Sequence, residues 1–464
     1  MPNFKTDAHK YQHTAVDFSL SNWFVHSKPS GLALDPGLGK SVITLESLNT
    51  LFDLREIKRA LIVAPLRPVY EVWPQEIEAW GYPLTYANLH RDKNGIRRNA
   101  QIEIINYEGL KKLEDQKGRW DVIVLDESNN IKNFTSKRMK YLKKIAPSAR
   151  FRGLLNGTPV ANSIADLFSQ SYFLDGGERL GKTLTFFRSK WCQQGGYMGR
   201  QWVLRGKNAE QDILNAVSDI MLRMDAESYL DMPELIKTNR YVSLPKGKVA
   251  EYNKLKRDLF LLLESGEDIR VGSAAAVYSK LRQFASGTIY RADDATGDKD
   301  SLTIHDEKIF ALEDLADELC GKPMLIGFNF RHDYTRIRQR PIFKDSACIQ
   351  GGQDAKEVSK ILERWNDGKI QYLFANPASV SHGLNLQKGG CADVCWFNFH
   401  DSPDKTDQFI RRIYRQGQKH EQVRVHRIVV RDTVETVQID RVDGKLKTQD
   451  DFLVALKSFV RQAA

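Results

Sequence analysis

The stretch "DVIVLDES", residues 121–128, runs four apolar residues straight into an aspartate and a glutamate. An unbroken apolar run of this length, rather than an alternating one, suits a strand buried on both faces of a parallel sheet. The same pattern recurs in "ALIVAP" (60–65), "PMLIGFN" (323–329), "QYLFANP" (371–377) and "DVCWFNF" (393–399). Helical patterns lie between these runs. Val42, Leu45, Leu48 and Phe52 share a face in one; Val358, Ile361, Leu362 and Trp365 do so in another, with Gly368 as a stop. Strand–helix alternation therefore appears twice, over about 30–170 and about 320–430, which predicts an α/β chain of two doubly wound parallel-sheet lobes.

The first lobe is expected over 1–240, with a helical insertion at about 165–235. The second is expected over 241–464, with a helical protrusion at about 245–290 and a C-terminal tail. In that tail Phe452, Leu456, Phe459 and Val460 form a helical stripe suited to docking back onto a lobe. Trp23, Trp73, Trp80 and Trp396 read as packing residues. The basic stretch "SKRMKYLKK" (136–144) reads more readily as a solvated helix face than as a DNA contact.

A chain of 464 residues accommodates two or three cores. It has no apolar run long enough to span a bilayer, and "MPNFKTDAHKYQ" lacks the apolar centre of a secretion signal. Five scattered cysteines make no disulfide framework, and Cys391 and Cys395 lack a second ligand pair for zinc. The expected compartment is the cytoplasm, without a membrane partner. A net charge of +10 is compatible with a polyanionic partner and does not by itself establish one.

Ligands of open α/β sheets bind beyond the carboxyl ends of the strands, where Asp126 and Glu127 would lie. Adjacent carboxylates there suit Mg²⁺ binding by Asp126 and polarisation of an attacking water by Glu127, although a strand can also simply end in a charged turn. Upstream, "GLALDPGLGKSVITL" (31–45) places Gly-x-Gly-Lys-Ser at the start of a helical pattern. Read together, the two segments make an ATP site. Lys40 would reach the β/γ-phosphates, Ser41 would join Asp126 on Mg²⁺, and the backbone N–H groups of Gly37, Leu38, Gly39, Lys40 and Ser41 would face the anion. Gln12 has an amide able both to donate to and accept from an adenine edge.

The order of these segments resembles the successive motifs of a superfamily-two helicase-type ATPase of the Swi/Snf-like family, in the compact form carried by bacteriophages and bacteria. The carriers are Gln12, "LDPGLGKS", "LIVAPLRPVYEVW", "INYEGL", "VLDES", "LLNGTPVAN", "PMLIGFNF", "SVSHGLNL" and "DQFIRRIYRQGQ", over roughly residues 10–430. The last matches the family's pattern at Gln408, Arg412, Arg415, Gly417 and Gln418.

The resemblance implies two RecA-like lobes in tandem. It implies a phosphate lysine at Lys40, a magnesium acid at Asp126, a catalytic glutamate at Glu127, arginine fingers at Arg412 and Arg415, and a nucleotide contact at Gly383. The spacing of the two arginines would put both on one face of a helix packed through Phe409, Ile410 and Ile413 and ended by Gly417. Candidate nucleic-acid contacts are Arg67, Asn106, Tyr107, Asn329, Arg331 and Ser381. The implied activity is DNA-stimulated ATP hydrolysis with tracking along DNA, duplex favoured and single strands possible, in a bacterial or phage-infected cell. Strand separation on DNA or RNA and protein remodelling, with a recruiting partner, are the alternatives; the intact hydrolysis residues argue against a scaffold. Departures from the family pattern are Leu34 and Pro36 at the loop, Ser128–Asn129 in place of Ala-His, and Tyr414 in place of His.

Overall fold

The computed structural model describes residues 4–90, 100–157, 166–195, 201–206, 208–264, 271–290, 301–380, 384, 386–446 and 449–461. The chain forms two compact units, Met1–Asp231 and Met232–Ala464.

In the first unit the strands are β1 (Ser30–Leu34), β2 (Ala60–Ala64), β3 (Tyr86–Asn88), β4 (Ile102–Asn106), β5 (Val122–Leu125), β6 (Phe151–Asn156), the hairpin pair β7 (Cys192–Gly195) and β8 (Gln201–Leu204), and β9 (Met221–Met224). The main sheet has the order β3-β4-β2-β5-β6-β1-β9. Every neighbouring pair in it is parallel. Every residue of β1, β2, β4 and β5 is buried, which is why β2 and β5 run apolar without alternation, while the buried Glu103 of β4 is paired with Arg119 and Trp120. The helix Lys40–Asp53 buries Val42, Leu45 and Leu48, but its stripe continues through Leu51, leaving Phe52 half-buried. Trp23 lies against β6, where a side chain at Gly153 would meet its ring at 2.9 Å, and its Nε1 donates to the Arg152 carbonyl at 3.0 Å. In the helix Lys137–Ile145 the cations are largely used within the unit. Arg138 and Lys144 pair with Glu108 and Glu114, and Lys143 sits 3.2 Å from the centroid of the Phe134 ring.

The second unit contains β10 (Glu234–Val242), the hairpin pair β11 (Thr288–Tyr290) and β12 (Ser301–Thr303), β13 (Met324–Gly327), β14 (Ala347–Ile349), β15 (Tyr372–Ala375), β16 (Asp393–Trp396) and β17 (Gln422–Val430). Its main sheet, β10-β17-β16-β13-β15-β14, is again parallel throughout. The sequence hid β10: as an edge strand it is half-exposed and polar at several positions, so its composition reads as a connection. At the sheet's centre Trp396 packs over Gly327 and against Phe409. Cys391 and Cys395 are buried in or beside β16, with burial pushing both thiols up to about 12. The helices Lys246–Glu264 and Val271–Ser286 share a core with the C-terminal helix Gln449–Arg461. Phe452, Leu456, Phe459 and Val460 all enter that core, so the tail's apolar stripe docks within its own unit. Among the described residues no helix is long and apolar enough to cross a membrane.

Candidate nucleotide site

Because the first sheet is parallel, the carboxyl ends of all its strands lie on one edge. The loop 35–39 leaves β1 at that edge and runs into the helix beginning at Lys40. Gly37 and Gly39 take φ of +100° and +79°, left-handed values that side-chain-bearing residues adopt only with strain. At Gly39 a Cβ would also collide with the Gln12 amide. The loop is pinned from below: Asp35 N–H donates to the Met224 carbonyl, and the Asp35 carboxylate accepts from Ala226 N–H at 3.2 Å. Lys40 Nζ donates to the carbonyl of Leu34 at 2.7 Å and to that of Asp35 at 3.4 Å, so the ammonium lies inside the curl of the loop. Ser41 follows as a half-buried residue of the helix's first turn.

Gln12 lies beside the loop, from the helix Lys10–Leu20. Its Nε2 donates to the Leu38 carbonyl at 3.3 Å and its Oε1 accepts from His9 N–H at 2.9 Å. To read an adenine edge, the amide would exchange these partners for the base.

Asp126 and Glu127 leave β5 on the same edge, with only β6 between β5 and β1. Two strand spacings amount to roughly 9–10 Å. Asp126 is buried, and each of its parts is held: N–H donates to Val63 O at 2.8 Å, Oδ2 accepts from Trp73 Nε1 at 3.1 Å, and the carbonyl accepts from the Tyr107 hydroxyl at 2.7 Å. Burial together with the carboxylates of Asp126 and Glu127 pushes the Tyr107 hydroxyl well above its ordinary range, so it stays a donor. Glu127 has φ +50° and ψ +58°, a left-handed conformation costing about 1–2 kcal/mol for a residue with a side chain. Both the N–H and the Nδ2 of Asn130 donate to its carbonyl, at 3.0 and 2.9 Å. Arg138 in turn donates to the carbonyl and Oδ1 of Asn130 and to Glu108, and Glu108 accepts from Asn106 Nδ2.

The departures at Ser128–Asn129 belong to a second buried network. Ser128 Oγ donates to Gln170 Oε1 at 2.6 Å, while Asn156 Nδ2 donates to Gln170 Oε1 at 3.1 Å and to Asn129 Oδ1 at 3.0 Å. Asn156 ends β6, the strand between the loop and the acids, so this network ties the turn after β5 to β6 and to the helix Asp166–Asp175. Trp73 was expected only to pack, and its hydrogen bond to Asp126 was not foreseen; Arg138, Asn130, Asn156 and Gln170 were not singled out individually in the sequence. The available signal was a polar residue inside an apolar stretch, as with Gln170 in "DLFSQSYFLD".

Two expected nucleic-acid contacts are corrected by this geometry. Asn106 and Tyr107 are 4% and 2% exposed, and their side chains point to Glu108 and to the Asp126 backbone rather than to a surface. Arg67 is half-buried on the short helix Leu66–Tyr70, with Nε 3.6 Å from Glu71. In the second unit Asn329 is also engaged internally: its N–H donates to Asn398 Oδ1 at 2.7 Å and its Nδ2 donates to the carbonyls of Asn398 and Phe399. Arg331 is exposed at the start of the helix Arg331–Ile337. Ser381 and Gly383 lie outside the described residues.

The arginine pair differs from expectation in its local structure. The helix Pro403–Ile410 stops before both residues, and the chain tightens into turns, with Arg412 N–H on Phe409 O and Ile413 N–H on Ile410 O. Packing of Phe409 and Ile413, both fully buried, draws the backbone inward there. Arg412 Nη1 donates to Leu384 O at 3.1 Å, and Arg415 is half-buried in the following bend. Gly417, at φ +81°, belongs to the turn rather than to a helix end; Gln418 Nε2 fixes that turn by donating to Cys391 O and Ile413 O.

The chain is similar to known proteins. The family model described as "SNF2-related domain" matches residues 11–286. Protein p41 of Acyrthosiphon pisum secondary endosymbiont phage 1 is 34% identical, over 96% of this chain and 98% of its own length. YwqA of Bacillus subtilis, which carries the name ATP-dependent helicase/translocase, is 24% identical over 99% of this chain, and this chain spans 50% of it. The ISWI chromatin-remodeling complex ATPase ISW2 of Saccharomyces cerevisiae is 24% identical, with this chain spanning 39% of it. Among solved structures, the Sulfolobus solfataricus SWI2/SNF2 ATPase core in complex with dsDNA is 23% identical at a TM-score of 0.46, covering 98% of this chain and 95% of that one. On its family match and its full-length likeness to the phage protein, the chain belongs to the SNF2-related family.

Proposed function

We propose that this chain is an ATP-hydrolysing motor that binds DNA and tracks along the duplex. The observation that carries the reading is the shared edge of the first sheet, where the Lys40 loop and the Asp126–Glu127 pair sit one strand apart. In this reading Lys40 exchanges its loop carbonyls for the β- and γ-phosphate oxygens of ATP, and the N–H groups at the start of the helix Lys40–Asp53 add partial positive charge. Glu127 orients the attacking water and accepts its proton. Its carboxylate is aimed by the left-handed backbone that Asn130 holds. Ser41 and Asp126 fit a magnesium ion, because such an ion takes one or two carboxylates and completes its shell with phosphate and water. When bound, it would neutralise charge building on the phosphates.

Arg412 and Arg415, from the second unit, are assigned as the arginine fingers, a contribution of about 10³–10⁵ in rate. That assignment makes hydrolysis conditional on closure of the units around ATP, and DNA that favours closure accelerates turnover. Arg67 and Arg331 remain the candidate phosphate-backbone contacts, which would be independent of sequence and weakened by salt.

The test is steady-state ATPase of the wild type and Lys40→Ala, alone and with duplex DNA, single-stranded DNA or RNA. Low basal turnover, raised mainly by duplex and abolished by the substitution, is the expected result. Preference for a single strand or for RNA would replace duplex tracking with unwinding or an RNA substrate. Equal activity of wild type and Lys40→Ala under every condition would overturn the phosphate-loop assignment.

A further inference from the structure

Charge is unevenly spread along the chain. Residues 182–208 hold six lysines and arginines and no aspartate or glutamate, which is six of the chain's net ten positive charges. None of the sequence motifs described above falls in this segment. Its described part is the helix Leu184–Trp191 running directly into the β7–β8 hairpin. Phe187 and Cys192 are buried in the first unit's core, with Trp191 and Leu204 packed against it, so the element is docked along one face. The other face carries the charge. Lys182, Lys190 and Arg205 are exposed, and Arg188 is half-buried with its guanidinium 5.3 Å from the centroid of the Trp202 ring. Among the described residues none of these four cations pairs with a carboxylate; the unit's ion pairs lie elsewhere. Two aromatic rings stand out of the same element: Phe186 is 52% exposed and Trp202 42%.

A docked segment without acids of its own, combining cations with outward aromatic rings, has a specific chemical complement. Phosphates satisfy the cations, and unpaired bases offer flat faces to the rings, whereas the bases of a duplex are already stacked on one another. An acidic protein would meet the charge but leave Trp202 and Phe186 without matching partners. We infer that the helix Leu184–Trp191, the paired strands β7 and β8 and the adjoining Arg205 form a second nucleic-acid contact, a platform on which an unpaired strand stacks over Trp202 while Arg188, Lys190 and Arg205 hold its phosphates. This rests on the DNA-motor reading and adds to it a grip on single-stranded segments outside the ATPase motifs.

The experiment is binding of a labelled oligothymidylate and of a labelled hairpin duplex to the full chain, wild type against Trp202→Ala and against Arg188→Ala/Lys190→Ala/Arg205→Ala. Thermal melting checks that both variants are folded; the docking residues Phe187, Cys192 and Leu204 are untouched. Trp202→Ala is expected to weaken oligothymidylate binding at least about fivefold while leaving duplex affinity within about twofold. The triple variant is expected to lower the slope of log affinity against log salt for the single strand by about 2. Variants that bind oligothymidylate as the wild type does would overturn the assignment. Equal weakening of duplex and single strand by Trp202→Ala would overturn stacking on an unpaired strand. If the wild type binds neither nucleic acid, it is the motor reading that falls.

Discussion

Tyr107→Phe separates two roles for one residue. As a nucleic-acid contact, its loss would change the apparent affinity for DNA; as an internal brace, it would change stability and turnover instead. The structure places the ring at 2% exposure with its hydroxyl 2.7 Å from the Asp126 carbonyl, so phenylalanine fills the same volume and deletes one hydrogen bond. The carbonyl is then left short of a donor in a buried place, which costs about 1–3 kcal/mol against roughly 0.5–1.5 kcal/mol for a bond replaced by water. A loss of about 1–2 kcal/mol in the first unit follows, or roughly 2–8 °C in its melting temperature. Because the same carbonyl belongs to the residue preceding the strained Glu127, kcat should fall severalfold while the DNA concentration for half-maximal stimulation stays put. Urea titration followed by tryptophan fluorescence, paired with ATPase titrations in DNA, reads both quantities. An unchanged urea midpoint with a raised half-maximal DNA concentration would refute the brace and restore the surface role.

Gln170→Leu strips the acceptor from Ser128 and Asn156 at once, so it should destabilise the first unit by about 2–5 kcal/mol in urea titrations; a loss below about 1 kcal/mol would contradict the buried network. In the second unit burial pulls the His305 imidazole down to about 4 from an ordinary 6.5, so it folds neutral and the unfolded chain takes up its proton first. Its contribution is therefore complete above about pH 6.5 and lost as pH falls from there toward 4, up to about 3 kcal/mol, and His305→Gln should flatten that part of a stability–pH curve measured by urea titration.

The strand edge proposed to hold ATP was legible because such chemistry demands particular residue types at strand ends, and parallel strands buried on both faces announce themselves as unbroken apolar runs. "DVIVLDES" contained both signals. The nucleic-acid contacts were not legible for the converse reason. Asn106, Tyr107 and Asn329 have polar groups that serve equally well against phosphate or against backbone, and only packing decides which. Tyr107 is carried inward by a turn whose glycine, Gly109, leaves no room for a Cβ beside Ile105 and Asn106. The arginine pair failed as a helix for a related reason: periodicity continued past Ile410, but the buried Phe409 and Ile413 set the backbone's path. β10 escaped because an edge strand has only part of its surface buried, so composition did not mark it.

Glu127 shows how the two kinds of information meet. A glycine would take φ +50° there without strain, so backbone geometry alone gives no reason for a glutamate. What requires the glutamate is its carboxylate, and what permits it is the set of bonds around it. Two hydrogen bonds from Asn130 to the Glu127 carbonyl, each contributing about 0.5–1.5 kcal/mol net, match or exceed the roughly 1–2 kcal/mol of left-handed strain. Asn130 is itself fixed by Arg138, and Arg138 by Glu108, so the strain is carried by side chains from three successive segments rather than by the turn alone. A strained residue persists only where its surroundings over-determine it. That condition is met at the one acid whose orientation the proposed water attack depends on, and the last link of the chain that meets it, Glu108, comes from the "INYEGL" segment, where it also accepts from Asn106.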